Sequence, residues 1–377
     1  MNESLNQISS TLQGLGSVFE APSFNYFNGT IHSPVYQEWN LQIQRDLGGS
    51  YALILANNGN HGIKIPYGNT WGNAYDPEAF GLPGALYPTV GAIAQGAPPN
   101  PSYGTVTEVQ SGGVSNYNGA TVTVRKRLSR GLAFDLNYTW SHGLDDVSNG
   151  GVFPINTNTT IATQISPYGL RQGNYGNSDY DIRHSLTGDW VYSPAYRFGN
   201  HFVNSVFAGW QWSGKTFLRT GLPFTVTDNN WSGAITNTDA PILAYPTGSY
   251  ANGCGASAVN TPCLNASSFI QSASSAFTNY PGISPQTRNQ FRGPGYFDVD
   301  MQVYKTFRIA ERVTFGLGAQ AFNVFNHPNY AVPDSGFGDP TFGKILQMAG
   351  TPTSPYGNFL GFDSAPRLVQ ITGKVTF

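Results

Sequence analysis

The sequence predicts an all-β fold: an antiparallel transmembrane β-barrel, in the form of a partial barrel of about 10–14 strands with long extracellular loops. Three observations carry that expectation. Apolar and polar residues alternate with period two along most of the chain. Charged residues are only 11% of its 377 residues, against about 25% in an ordinary soluble domain, so much of the surface need not face water. Connections between the alternating stretches are by turns short and long.

The alternation is clearest at Leu132-Ala-Phe-Asp-Leu-Asn-Tyr-Thr-Trp-Ser141. One face is Leu132, Phe134, Leu136, Tyr138 and Trp140; the other is Ala133, Asp135, Asn137, Thr139 and Ser141. The preceding stretch sets Ala120, Val122, Val124 and Leu128 against Thr121, Thr123, Arg125 and Arg127, and Ser129-Arg130-Gly131 supplies a hairpin turn. Residues 35 to 44 set Val35, Trp39, Leu41 and Ile43 against Tyr36, Glu38, Asn40, Gln42 and Gln44, with Gln37 interrupting the apolar face. Residues 297 to 307 set Phe297, Val299, Met301, Val303 and Phe307 against Asp298, Asp300, Gln302, Tyr304 and Thr306. After a turn near Ala310-Glu311, Val313, Phe315, Leu317, Ala319 and Ala321 oppose Thr314, Gly316, Gly318 and Gln320. Roughly ten such strands can be read, each near the ~9–11 residues that cross a bilayer at a tilt.

Short turns fall near 46–49, 129–131 and 308–312; long segments occupy 57–103, 142–180, 227–290 and 327–365. Short periplasmic turns facing long extracellular loops is the pattern of an outer-membrane barrel. A soluble sandwich carries more charge on its outer face. No stretch approaches the ~18 apolar residues of a spanning helix, which leaves a closed barrel as the membrane architecture. The polar interior and loops account for a mean hydropathy that is slightly negative. A net charge of −2 gives no basic footprint, so no nucleic-acid partner is expected. The expected partners are outer-membrane lipid, the barrel-assembly machinery and an unknown small solute or peptide.

Residues 1–30 are read as a segment of uncertain structure, with a weak amphipathic helical turn over 3–15, and 31–377 as the barrel region. The opening Met1-Asn2-Glu3-Ser4-Leu5 shows no secretory signal, which an outer-membrane protein needs. The chain is therefore expected to be a piece of a longer protein. Cys254 and Cys263 lie in a Gly/Ser/Ala/Asn-rich stretch; an oxidising location favours a disulfide over two free thiols.

No motif points to catalysis, a cofactor or a metal. Gly209-Trp-Gln-Trp-Ser-Gly-Lys-Thr216 matches a P-loop by letter, but the helix that must follow would meet Gly221 and Pro223 within two turns. A strand with Trp210, Trp212 and Leu218 on one face fits better. The histidines at 32, 61, 142, 184, 201 and 327 show no ligand spacing, and no nucleophile elbow is present. Asp181, Arg183 and His184 read as a charged network at a barrel rim. Asp145, Asp146, Asp179 and Asp181 could bind Ca²⁺ but read better as a solvated loop face. Trp71, Tyr75, Tyr168, Tyr175, Tyr180 and Trp231 are loop aromatics suited to contact a solute.

The final Leu368-Val-Gln-Ile-Thr-Gly-Lys-Val-Thr-Phe377 alternates and ends on an aromatic, which resembles the signal by which outer-membrane barrels are recognised for assembly. Five stretches resemble the C-terminal barrel of TonB-dependent receptors of the Oar-like type, common in Acidobacteria-like bacteria. They are Leu132 to Ser141, Tyr180-Asp-Ile-Arg-His-Ser185, Gly221-Leu-Pro-Phe-Thr-Val226, Phe291-Arg-Gly-Pro-Gly-Tyr-Phe-Asp-Val-Asp300, and Phe322-Asn-Val-Phe-Asn-His-Pro-Asn-Tyr330, with Phe377 at the end. The resemblance covers about residues 30 to 377, and the order of the pieces is more specific than any one of them. It implies a barrel of about 22 strands closed by an N-terminal plug domain, with uptake driven by the inner-membrane TonB complex. Some members of that family carry a carboxypeptidase-regulatory-like domain ahead of the plug. The sequence shows no plug or TonB box and about half the strands, so plug and TonB are partners only within a longer protein. The expected function is therefore the wall and extracellular loops of a solute transporter, not an enzyme. The alternatives are a self-contained porin or adhesin barrel of about 10–12 strands and a soluble all-β carbohydrate-binding protein.

Overall fold

The computed structural model describes residues 22–69, 102–104, 106–148, 162–163, 171, 173–228, 243–247, 259–260, 262–269, 286–309, 313–349 and 366–377. The first strands are β1 (Phe24–Phe27), β2 (Val35–Gly48), β3 (Tyr51–Asn69), β4 (Val106–Ser129) and β5 (Leu132–Asp145). Two short strands follow, β6 (Ala162–Thr163) and β7 (Gly176–Asn177), then β8 (His184–Tyr192), helix α1 (His201–Phe207) and β9 (Trp210–Arg219). The short strands β10 (Pro223–Phe224), β11 (Thr227–Asp228) and β12 (Phe291–Arg292) precede β13 (Tyr296–Arg308) and β14 (Thr314–Phe322). Last come β15 (Gly336–Phe337) and β16 (Leu368–Thr376).

Nine strands form one antiparallel path in the order β16-β14-β13-β9-β8-β5-β4-β3-β2. Every wall strand therefore pairs with its neighbours along the chain. β1 runs parallel to the start of β4, with Phe24 opposite Val106, so strand structure begins inside the segment 1–30. Among the described residues β2 and β16 each have one partner, and the wall is open.

The two faces follow the alternation. Register places Ile43, Leu55, Val122, Tyr138, Leu186, Leu218 and Phe297 in one row across seven strands. Large apolar side chains of this face stay open: Leu136 is 41% exposed, Trp140 59% and Ile371 75%. On the opposite face, hydrogen bonds join Thr121 to Thr139 (3.0 Å), Thr123 to Asn137 (2.6 Å) and Ser213 to Gln302 (3.4 Å). Apolar outside and polar within is the reverse of a soluble sheet.

The hairpin turns are where the sequence puts them. Arg130 and Gly131 have φ of 52° and 80°, the double positive φ that a two-residue turn needs to match strand twist. The P-loop-like stretch lies on β9, in register with β8 and β13, and no helix follows its lysine.

Two expectations fail locally. β3 runs on to Asn69, where a loop over 57–103 was expected, and β5 runs past His142 to Asp145, into the loop expected over 142–180. At 19 and 24 residues, β3 and β4 exceed the ~9–11 that cross a bilayer and extend beyond it as a paired antiparallel ribbon. Asn57 to His61 is polar on both faces, so period two is lost while backbone pairing continues. Helix α1 occupies the connection between β8 and β9. Asn200 caps it by accepting from the backbone N–H of Phe202 (2.8 Å) and Val203 (3.2 Å).

Candidate functional site at the long-loop end of the wall

β8 starts, β9 ends and β13 starts at the same level: Ser185 is opposite Arg219, and Arg219 opposite Tyr296. The connections leaving these strands fold across one another. β10 pairs antiparallel with β12, joining Pro223 to Arg292 and Phe224 to Phe291. A side chain at Gly221 would overlap the carbonyl oxygen of Gly293, so these segments meet backbone to backbone. Arg292 then ties in a third segment. Its guanidinium pairs with the buried Asp181 carboxylate and donates to the Asp181 carbonyl at 2.6 Å. Asp181 also accepts from the Gly143 N–H (2.7 Å) and from Arg183 Nε (2.9 Å). Arg183 lies 2.7 Å from His142 Nε2 and donates to Asn177 at 3.1 Å. A fourth segment joins through Asn329, which exchanges two hydrogen bonds with the Phe297 backbone (2.8 and 2.9 Å). Phe325 stacks on the Phe297 ring at 5.8 Å.

A second knot sits beside the first. Arg288 is completely buried, pairs with the Asp145 carboxylate, and donates to the carbonyls of Ser148 (2.5 Å) and Asp145 (2.9 Å). Burial pulls its guanidinium down to about 9, still protonated at neutral pH. A side chain at Gly176 would overlap the Arg288 carbonyl oxygen. Asn289 exchanges hydrogen bonds with Thr225 and donates to Asn177 (2.8 Å) and Asp179 (2.6 Å). Asp146 accepts from the Val114 N–H at 2.7 Å, with Arg171 3.9 Å from its other oxygen. Burial pushes the Asp146 carboxyl above the usual range, against the Val114 hydrogen bond and Arg171.

The expectation of a solvated acidic loop face is therefore wrong. Asp145, Asp146 and Asp181 are buried because Arg288, Arg171, Arg183 and Arg292 are brought to them. Among the described residues no group of three or more metal-ligating side chains forms. Above the knots lies a small apolar core of Phe224, Val226, Ala244, Leu264, Phe269, Phe291, Phe337 and Phe342.

Of the expected contact aromatics, Tyr175 and Tyr180 lie on the strap before β8. Tyr175 accepts from Asn116 (3.2 Å) and carries Arg171 over its ring at 5.2 Å. Tyr180 is half-buried, its N–H directed at Ser178 Oγ at 3.5 Å. Trp71, Tyr75, Tyr168 and Trp231 lie outside the described residues, as does Cys254. Cys263 carries no free thiol. Phe377 follows β16 and is 95% exposed. The sequence reading missed Arg288 and Asn289; the signal was an Arg-Asn pair within a chain so poor in charge.

Below the knots, the polar face holds a row of charges: Arg125, Asp135, Asp189, Lys215 and Asp300 stand opposite one another on successive strands. Arg125 pairs with Asp135 at 2.6 Å, and Lys215 with Asp189 at 3.9 Å.

A family model described as an outer membrane beta barrel domain matches residues 4–370. The chain belongs to the outer membrane beta barrel domain family. It is a protein of the Gram-negative outer membrane, so its apolar face meets lipid and its polar face lines the lumen. The end where the connections cross is extracellular; the turns at Gly49-Ser50 and Arg130-Gly131, and the helical connection between β8 and β9, are periplasmic. Two lysines on the lipid face of this family member sit at the periplasmic end. Lys305 donates to the carbonyls of Val206 (3.1 Å) and Ala208 (2.5 Å) and lies over Trp210; Lys126 donates to Ser129 and lies over Tyr51.

Among solved structures, the chain is similar to the outer membrane transporter YddB from Escherichia coli, at 8% identity and TM-score 0.46, covering 95% of this chain and 34% of that one. It is also similar to the pyoverdine outer membrane receptor FpvA from Pseudomonas aeruginosa, at 11% identity and TM-score 0.39, covering 92% and 30%. The chain thus spans less than two thirds of either. No curated protein matches it.

Proposed function

We propose that this outer-membrane barrel chain is the C-terminal part of a TonB-dependent transporter of the Oar-like type. Residues 31–377 form barrel wall and extracellular loops for uptake of a solute, and no residue performs covalent chemistry. One observation carries the reading. Four stretches that resemble that family, around Asp181, Gly221, Arg292 and Asn329, are distant in sequence and converge at one extracellular junction. The junction ties these segments together at the extracellular end of the wall, which suits the loops that leave it to present a capture surface. Tyr175, Tyr180, Trp71, Tyr75, Tyr168 and Trp231 are its proposed contact residues, and the Cys254–Cys263 bridge stiffens one loop. Phe377 is the proposed assembly signal; its removal lowers the yield of membrane-inserted protein.

The test is labelled-solute uptake by cells with and without an energised inner membrane. Uptake that stops when the proton gradient is collapsed supports the reading. Passive flux of small hydrophilic solutes through liposomes holding only this chain sinks it in favour of a porin.

A further inference from the structure

The wall strands carry a directional constraint that rests on the transporter-fragment reading and sharpens it. Nine strands, each antiparallel to its neighbours, leave the first and last pointing the same way. β2 enters from the extracellular side and ends at the periplasmic turn Gly49-Ser50, where β3 begins. β14 rises from the periplasmic turn, and β16 is antiparallel to it, so β16 also descends. Joining β2 to β16 directly makes a parallel seam. A second copy, inserted in the same orientation, offers only descending edges and makes parallel seams again. Bacterial outer-membrane barrels are antiparallel throughout and have even strand numbers.

The edges also cannot stay bare. All fourteen residues of β2 are exposed, and eight of the nine of β16, whereas most of β13 is at least partly covered. A strand edge at membrane depth leaves backbone N–H and C=O groups in hydrocarbon with no partner. β2 carries the wall alternation over Trp39 to Gln44, with Leu41 and Ile43 toward lipid and Gln42 and Gln44 toward the lumen, so it is built as an interior strand.

We propose that the β2 and β16 edges accept ascending, amphipathic strands from outside the described residues, an odd number in all, and that no second copy of this chain takes their place. The occupant has apolar side chains facing lipid and Ser, Thr, Asn or Gln facing the lumen. Its N-terminal end lies at the periplasmic side.

Site-specific photocrosslinking in native outer membranes tests this. A photoreactive residue replaces Gln37 or Ile43 on β2, and Val369 or Val375 on β16, all four of them exposed. Only variants that keep folded mobility on a detergent gel are read. Crosslinked peptides are mapped by mass spectrometry. At each edge one strand should be caught, and its later residues should react with the extracellular probe (Gln37, Val369) and its earlier ones with the periplasmic probe (Ile43, Val375). Capture from polypeptide outside these 377 residues supports both the proposal and the transporter fragment. Ascending capture from residues of this chain outside the described ones keeps the proposal and removes the transporter fragment. Capture of β16 by β2, of either edge by a second copy, of any descending strand, or of nothing overturns the proposal.

Discussion

The wall and the extracellular cap are stabilised in opposite ways. In the wall, Leu136, Trp140 and Ile371 face outward, and polar Thr, Asn and Gln pair inward. In the cap, Phe224, Phe269 and Phe291 are buried together, and charged residues are drawn in beneath them. The wall has hydrocarbon as solvent on one side, so an exposed leucine there is at home. The cap has water around it, so its phenylalanines must find one another. Burial alone therefore says nothing about importance until the solvent of each region is known.

The largest expected break in that contrast is Arg288→Met. It takes the guanidinium away from the buried Asp145 carboxylate, which keeps only the Ser148 N–H and hydroxyl, and from the carbonyls of Asp145 and Ser148, at a cost of about 3–5 kcal/mol. The cap should become protease-sensitive in membrane-embedded protein while the wall keeps its heat-modifiable mobility. Loss of both together would show that wall and cap unfold as one unit.

A matched pair sharpens the comparison. Phe269→Ala empties a packed cap site and should cost about 3–5 kcal/mol in denaturant titration. Leu136→Ala on the lipid face leaves no cavity because lipid fills it, so only the transfer loss of about 1–2 kcal/mol remains. Leu136→Arg reverses the order within the wall, costing about 2–4 kcal/mol at the bilayer midplane. Equal costs for the two alanine variants would mean that Leu136 packs against protein rather than lipid.

The wall was legible because its information is local: the alternation at Leu132 to Ser141 fixes face, register and solvent within ten residues. Legibility failed in the wall only where the solvent changed, above the membrane at Asn57 to His61, and at α1, whose seven residues offer little beyond the Asn200 cap. The cap was hardly legible. Arg288 meets Asp145 across 143 positions, and no periodicity connects residues so far apart. Only the resembling stretches marked which loop residues belong together, and they did so without showing how. The proposed Cys254–Cys263 bridge is the local exception in the cap. Reducing it should destabilise its loop by about 2–3 kcal/mol, seen as faster cleavage within 254–263 and unchanged wall mobility.

The smallest effect concerns the border between the regions. Asp146 is held above the usual carboxyl range by burial, so its charged form is the disfavoured one in the folded cap. The sign follows from linkage: a raised folded value adds stability that is fully present below the unfolded value and is lost as pH rises through the folded one. At neutral pH an ionised Asp146 therefore weakens the cap. Asp146→Asn keeps an oxygen for the Val114 N–H and gives up only the long contact to the mostly exposed Arg171, worth about 0–1 kcal/mol. The variant should match or exceed the parent in cap stability at pH 7. As pH falls toward 4, the parent should gain on it, because only the parent can take up the proton. A variant that is weaker at pH 7 and equal at pH 4 would mean that the Arg171 contact outweighs the burial penalty.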